Sequence, residues 1–220
     1  RICLTGVIVL LFAVTVDGRV GDSSESSYCT ETKECFLFDL VCAGKDYEVR
    51  FKISNTSTWV FLTATFFLFF NLRKKKEYFE FPKILLKNGL IFFLKIIDMT
   101  APVIIKVNDS ASMWQSSVYA LSFLLPSNYQ ANPPKPTDPS VYFTDTPDMK
   151  VYVKSYGGYM MSVVARSQAQ SLKTSLDNVQ ATYETEYYYN VGYNSPMKIM
   201  NRHNEAWYIV KGEPVCPKTE

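Results

Sequence analysis

The chain has 220 residues and a mass of 25.2 kDa, enough for one domain with appendages and a core that does not depend on disulfides. Apolar residues make up 47%, aromatics 15% and the formal charge is +2, which argues against collagen-like and disordered classes and gives no global pull toward nucleic acid. One asymmetry hides in that balance: residues 73–96 carry seven basic side chains against Glu77 and Glu80, a local +5 that leaves −3 for the rest.

Residues 2–16 are an apolar run of signal-peptide length, followed by Asp17, Gly18 and a polar stretch to Ser27. We read residues 1–18 as a secretory leader. The run is short of the ~20 residues of a membrane span, so the expected mature chain is extracellular with no transmembrane span. Loss of Cys3 with the leader leaves Cys29, Cys35, Cys42 and Cys216, an even number in an oxidising compartment, and two disulfides are expected. Three pairings are open. Three of the cysteines lie in an N-terminal arm, residues 19–44, so one of them must reach Cys216. A zinc site is disfavoured, because the spacings are five and six intervening residues and His203 is the sole histidine. Asn55-Thr56-Ser57 and Asn108-Asp109-Ser110 are glycosylation sequons.

From Lys45 onward the pattern alternates between strand and helix. Tyr47–Ile53 predicts a first strand, followed by Val103–Val107 and by Val118–Leu125, which sets Tyr119, Leu121, Phe123 and Leu125 on one face. A proline-rich connector, residues 132–139, leads to strands over Val141–Thr144 and Lys150–Tyr156, with a turn at Thr146-Pro147-Asp148. After Gly157-Gly158 the apolar residues Met161, Ala165, Ala169, Leu172, Leu176 and Val179 recur three or four apart, predicting an amphipathic helix packed on a sheet. Tyr183–Val191 and Ala206–Val210 are the closing strands, separated by a turn at residues 192–196. Within Tyr187-Tyr188-Tyr189 at least one ring is expected in the core. His203, in a polar turn, is read as solvated. This order gives an α+β domain with an antiparallel sheet.

Residues 61–97 stand apart. Of these 37 residues, 29 are Phe, Leu, Lys, Ile, Asn or Tyr, and they follow no clean period. All six types can be written with AT-rich codons, so the segment is read as an atypical insert, with translated non-coding sequence as one origin. Irregular structure is expected there.

No G-x-S-x-G, H-E-x-x-H, P-loop or dinucleotide fingerprint occurs, so the sequence offers no positive sign of an enzyme. Six phrases carry more information: residues 45–50 (KDYEVR), 57–60 (STWV), 98–103 (DMTAPV), 132–136 (NPPKP), 151–158 (VYVKSYGG) and, together, 192–198 (GYNSPMK) with 201–207 (NRHNEAW). In order and spacing they resemble the SOUL haem-binding family over residues 45–60 and 98–213.

The resemblance implies a distorted antiparallel β-barrel flanked by two helices, the second over 161–181 and the first between Val60 and Met99, where this chain has the biased segment. It bounds a domain at 45–213 and leaves 214–220 as a tail. It also implies non-enzymatic binding of haem or protoporphyrin in a hydrophobic groove, with Lys198, Met197 and Tyr193 as the binding residues, Lys198 being the basic side chain that borders the groove. Phe51 stands where some members carry a proposed ligand histidine, so ligand contact is expected to be chiefly apolar, with His203 the remaining axial candidate. An extracellular interaction protein on the same fold that has lost the ligand is the alternative.

Overall fold

Most of the β-branched and aromatic runs among the described residues become strands of antiparallel pairs in the computed structural model, which describes residues 21–22, 26–52, 59–68, 85–86, 89–90, 97–109, 117–136, 141–146 and 148–218. In chain order the strands are β1 Gly21–Asp22, β2 Glu34–Cys35, β3 Asp39–Ala43, β4 Glu48–Lys52, β5 Trp59–Leu68, β6 Leu85–Leu86, β7 Gly89–Leu90, β8 Val103–Asn108, β9 Ser117–Leu124, β10 Val141–Thr146, β11 Met149–Tyr156, β12 Tyr187–Gly192 and β13 Asn204–Ile209. The helices are α1, Ser127–Gln130, and α2, Ser162–Asn178. Among the described residues no helix is long and apolar enough to cross a membrane.

Nine strands form one sheet in the order β10-β5-β9-β8-β12-β13-β11-β4-β3, with every pair antiparallel. The edge strands β10 and β3 do not pair, so the sheet is open. It is also strongly curled. Tyr142 and Thr144 of β10 line the same groove as Trp207 of β13, five strands away in the sheet order. Laid flat, those strands would be about 24 Å apart. The result is the distorted α+β barrel that the sequence led us to expect.

Alternation sorts the side chains onto two faces. The concave face buries Ile104, Leu124, Val151, Val153, Val191, Tyr193 and Trp207. On the convex face, Leu172 and Leu176 of α2 are fully buried against Val49, Tyr152, Tyr188 and Tyr208, and truncating either leucine would cost about 2–5 kcal/mol. Of the predicted helix positions, Ala165, Ala169, Leu172 and Leu176 are buried, whereas Met161 is the exposed residue that precedes the first turn. The helix closes with Gln180 in the left-handed conformation, φ 55°, and with Ala181 N–H donating to Leu176 C=O at 3.0 Å. A second convex cluster holds Ile97, Leu121, Phe123, Leu125 and Val141.

Two results depart from the sequence reading. Trp59–Leu68 is a ten-residue strand joining β10 to β9, so the first part of the segment expected to be irregular, and expected by resemblance to hold the first helix, is sheet. Its β-branched and aromatic content favours a strand even without alternation. Apart from β6, β7 and Ile97, the rest of 61–97 lies outside the described residues, as does the leader.

The arm, in turn, belongs to the core. Phe36 packs into the concave cluster and its N–H donates to the Ala101 carbonyl at 2.8 Å, Ala101 N–H donates in turn to the Glu34 carbonyl at 3.2 Å, and the Glu34 carboxylate accepts from Ser127 N–H at 2.7 Å. The disulfides pair Cys29 with Cys35 and Cys42 with Cys216. Beside the second, Tyr47 donates to the Val215 carbonyl at 2.9 Å, docking the tail on β4.

Candidate functional site

Two of the phrases singled out in the sequence meet inside the barrel. Arg50 sits at an inward position of β4 and Glu205 at an inward position of β13, and Arg50 Nη1 donates to Glu205 Oε1 at 2.8 Å. Three further groups reach this carboxylate: Trp207 Nε1 at 2.6 Å, Tyr193 Oη at 3.2 Å and His203 Nε2 at 2.6 Å. A carboxylate only accepts, so His203 must carry its proton on Nε2 here. Burial opposes the charge on Glu205, but the His203 hydrogen bond and the Arg50 guanidinium outweigh it and hold the carboxyl below its ordinary range. Burial first, and the Glu205 charge second, push the Tyr193 phenol well above its usual value.

Aromatic rings of the arm close this centre. The Tyr28 ring stacks on His203 at 4.3 Å and meets Tyr193 edge-on at 4.7 Å, while the Arg50 guanidinium lies 3.9 Å from the centroid of Phe38. His203 is therefore not the solvated turn residue expected. Its ring is half-buried between two tyrosines, because the following inward position is an anion that needs a donor.

Above this centre the chain between β12 and β13 forms a braced loop. Arg202 Nη1 donates at 2.7 Å to the carbonyls of both Ser195 and Lys198, and Asn194 Oδ1 accepts from His203 N–H at 2.7 Å. With its polar groups turned inward, the loop holds Met197, Ile199 and Met200 out in solvent at 80%, 75% and 74% exposure. Arg202 also lies over the ring of Tyr159 at 4.8 Å, and Tyr159, Met161 and Val163 are exposed in turn. An apolar patch with two cations results, of the kind that marks a binding surface.

Residues 94–209 match the family model described as SOUL heme-binding protein. The chain belongs to that family. Human heme-binding protein 2 is 36% identical over 118 residues, covering 54% of this chain and 58% of that protein. Heme-binding protein 1 of Bos taurus is 32% identical over 115 residues, covering 52% and 60%, and that of Xenopus laevis is 35% identical over 133 residues, covering 56% and 70%. The chain thus spans about three fifths of the length of the first two. The matched region takes in the loop, β12, β13, α2 and Glu205, and leaves out Arg50 and the arm.

The residues singled out in the sequence are separated by depth. Tyr193 is buried beneath the loop, whereas Met197 and Lys198 are on its surface, where Lys198 Nζ lies 3.3 Å from Thr30 Oγ1 and Ser195 N–H donates to Glu31 Oε2 at 2.7 Å. Asn108 is exposed in β8; Asn55 lies outside the described residues. Among the described residues no group of three or more His, Cys, Asp or Glu side chains could hold a metal ion. Sequence reasoning missed Arg50 and Glu205 as a pair. Their signal was a charged residue at an inward strand position, Arg50 between Val49 and Phe51 and Glu205 beside Ala206 and Trp207, which only a buried partner makes tolerable.

Proposed function

We propose that this chain binds haem or a related tetrapyrrole outside the cell, without catalysing a reaction, on the loop between β12 and β13. The observation that carries this reading is the outward display of Met197, Ile199 and Met200 beside Lys198 by the Arg202 brace. Three aliphatic or thioether side chains suit the face of a macrocycle, and Lys198 suits its carboxylates. Covering a few hundred Å² of apolar surface at ~25 cal/mol per Å² gives several kcal/mol before association costs, enough for micromolar binding without iron ligation. The two disulfides support the extracellular setting.

Titration of the Soret band with haem, and of fluorescence with metal-free protoporphyrin, tests the reading. Both ligands should bind with similar affinity. Lys198→Ala should weaken both by up to about fivefold, the effect of one exposed ion pair, and His203→Ala should change little. No Soret shift with a folded, disulfide-bonded protein would instead favour an interaction protein on the same fold. The arm speaks for that second reading, since Thr30 and Glu31 already hold Lys198 and Ser195.

A further inference from the structure

The concave face of the sheet carries a groove at the other end of the β12–β13 hairpin from the loop. Tyr187 and Ile209 lie at that end, five residues from the loop, which places the groove about 17 Å away along the strands. It has two adjoining parts. An inner volume of about 250 Å³ is lined by Ile104, Lys106, Ala120, Tyr142, Tyr189 and Trp207. An outer volume of about 390 Å³ adds Phe51, Lys150 and Tyr187, and the two share Thr146, Met149 and Tyr189. These are the dimensions of small-molecule sites, which combine apolar walls with a few polar groups.

The walls are unusually aromatic, and the cations in them are placed on rings. Lys106 Nζ lies 3.6 Å from the centroid of Tyr187, Lys150 Nζ lies 5.4 Å from that of Phe51, and Tyr187 and Tyr189 meet edge-on at 5.5 Å. Neither lysine takes part in an ion pair among the described residues. Asp148 also reaches the rim, so among the described residues the groove is lined by two positive charges and one negative. An ammonium held on a ring face keeps its charge available, because an arriving anion can share it without displacing a carboxylate. Burial first, and the neighbouring Tyr187 second, hold the Tyr189 phenol above its ordinary range.

We propose that this groove is a second ligand site, separate from the loop, for a flat aromatic carboxylate whose ring body lies among Tyr142, Tyr189 and Trp207 and whose charge meets Lys106. The aromatic walls select a planar body over a bulky one, and the excess of cations selects an acid over its neutral isostere.

The test uses 2-naphthoate and the neutral 2-naphthalenemethanol, titrated against the tryptophan fluorescence of the intact disulfide-bonded chain. Naphthoate should bind more tightly than the alcohol. Lys106→Met, at an exposed position, should weaken naphthoate by about threefold to fivefold and leave the alcohol unchanged. Ala120→Phe should fill the groove and remove both. Tyr142→Ala, at a half-exposed position, should weaken both severalfold and reads the same wall without crowding the interior. Lys198→Ala should alter neither, which keeps the outcome independent of tetrapyrrole binding. No binding at millimolar naphthoate to natively folded protein would overturn the proposal. So would binding indifferent to Lys106→Met and Tyr142→Ala, and loss of naphthoate binding in Lys198→Ala would move the ligand to the loop.

Discussion

Arg50 and Glu205, 155 residues apart in sequence, form an ion pair at 2.8 Å in which neither side chain meets solvent to any extent. Removing one partner leaves the other charged, buried and short of a hydrogen bond, so Arg50→Met or Glu205→Leu alone should cost about 3–5 kcal/mol. The double variant should recover only part of that loss, because it leaves no orphaned charge but deprives Trp207 Nε1 and the Tyr193 hydroxyl of their acceptor. Urea unfolding of the three variants and the parent measures the coupling, and additive losses would contradict it.

Acid should unfold the protein partly through the same carboxylate. Glu205 is held below its ordinary range in the folded chain, so its contribution is present above the unfolded carboxyl pKa of about 4.3 and is lost as pH falls through the depressed folded value. Stability should therefore fall as pH drops below the unfolded carboxyl value, and Glu205→Gln, though less stable at neutral pH, should show a shallower slope there. Denaturant midpoints taken at several pH values check the sign.

Gln180 occupies a left-handed position at the end of α2 that glycine fills without steric strain. Gln180→Gly should raise stability by up to about 1 kcal/mol, whereas Gln180→Val should lower it. A thermal melt distinguishes the two.

The two disulfides should contribute unequally. Cys42 and Cys216 are separated by 174 positions and Cys29 and Cys35 by 6, so loop-closure entropy assigns about 5 kcal/mol to the first and about 2 kcal/mol to the second. Replacing each pair by serine and comparing denaturant midpoints tests the ranking. Equal losses would show that local packing of the arm outweighs chain entropy.

Much of this fold was legible because alternation is a direct record of burial. The apolar face read in Val118–Leu125 is the one on which Leu121, Phe123 and Leu125 share a cluster, and the spacing of Ala165, Ala169, Leu172 and Leu176 is the buried stripe of α2. Strand β5 was missed because Phe61–Leu68 gives no period to read, and its place in the sheet comes from pairing with distant strands. The arm was missed for the opposite reason. Glu31, Thr32, Lys33 and Glu34 look like a solvated linker, yet Glu31 and Glu34 accept backbone N–H groups from Ser195 and Ser127, far along the chain. Lys198 and Met197 could be located from the phrase that contains them, but the buried centre beneath the loop depended on which strand Arg50 would face, and no local pattern encodes that.

The Cys42–Cys216 bond has a topological consequence. It converts residues 42–216 into one covalent ring that contains nearly all of the sheet, both helices and the exposed loop at Met197–Met200. A protease that cuts once inside this ring opens it without releasing a fragment, and the nicked molecule keeps its mass apart from one added water until a reductant separates the pieces. Cleavage of the exposed Met197–Met200 loop would thus go unseen on a non-reducing gel and appear only after reduction.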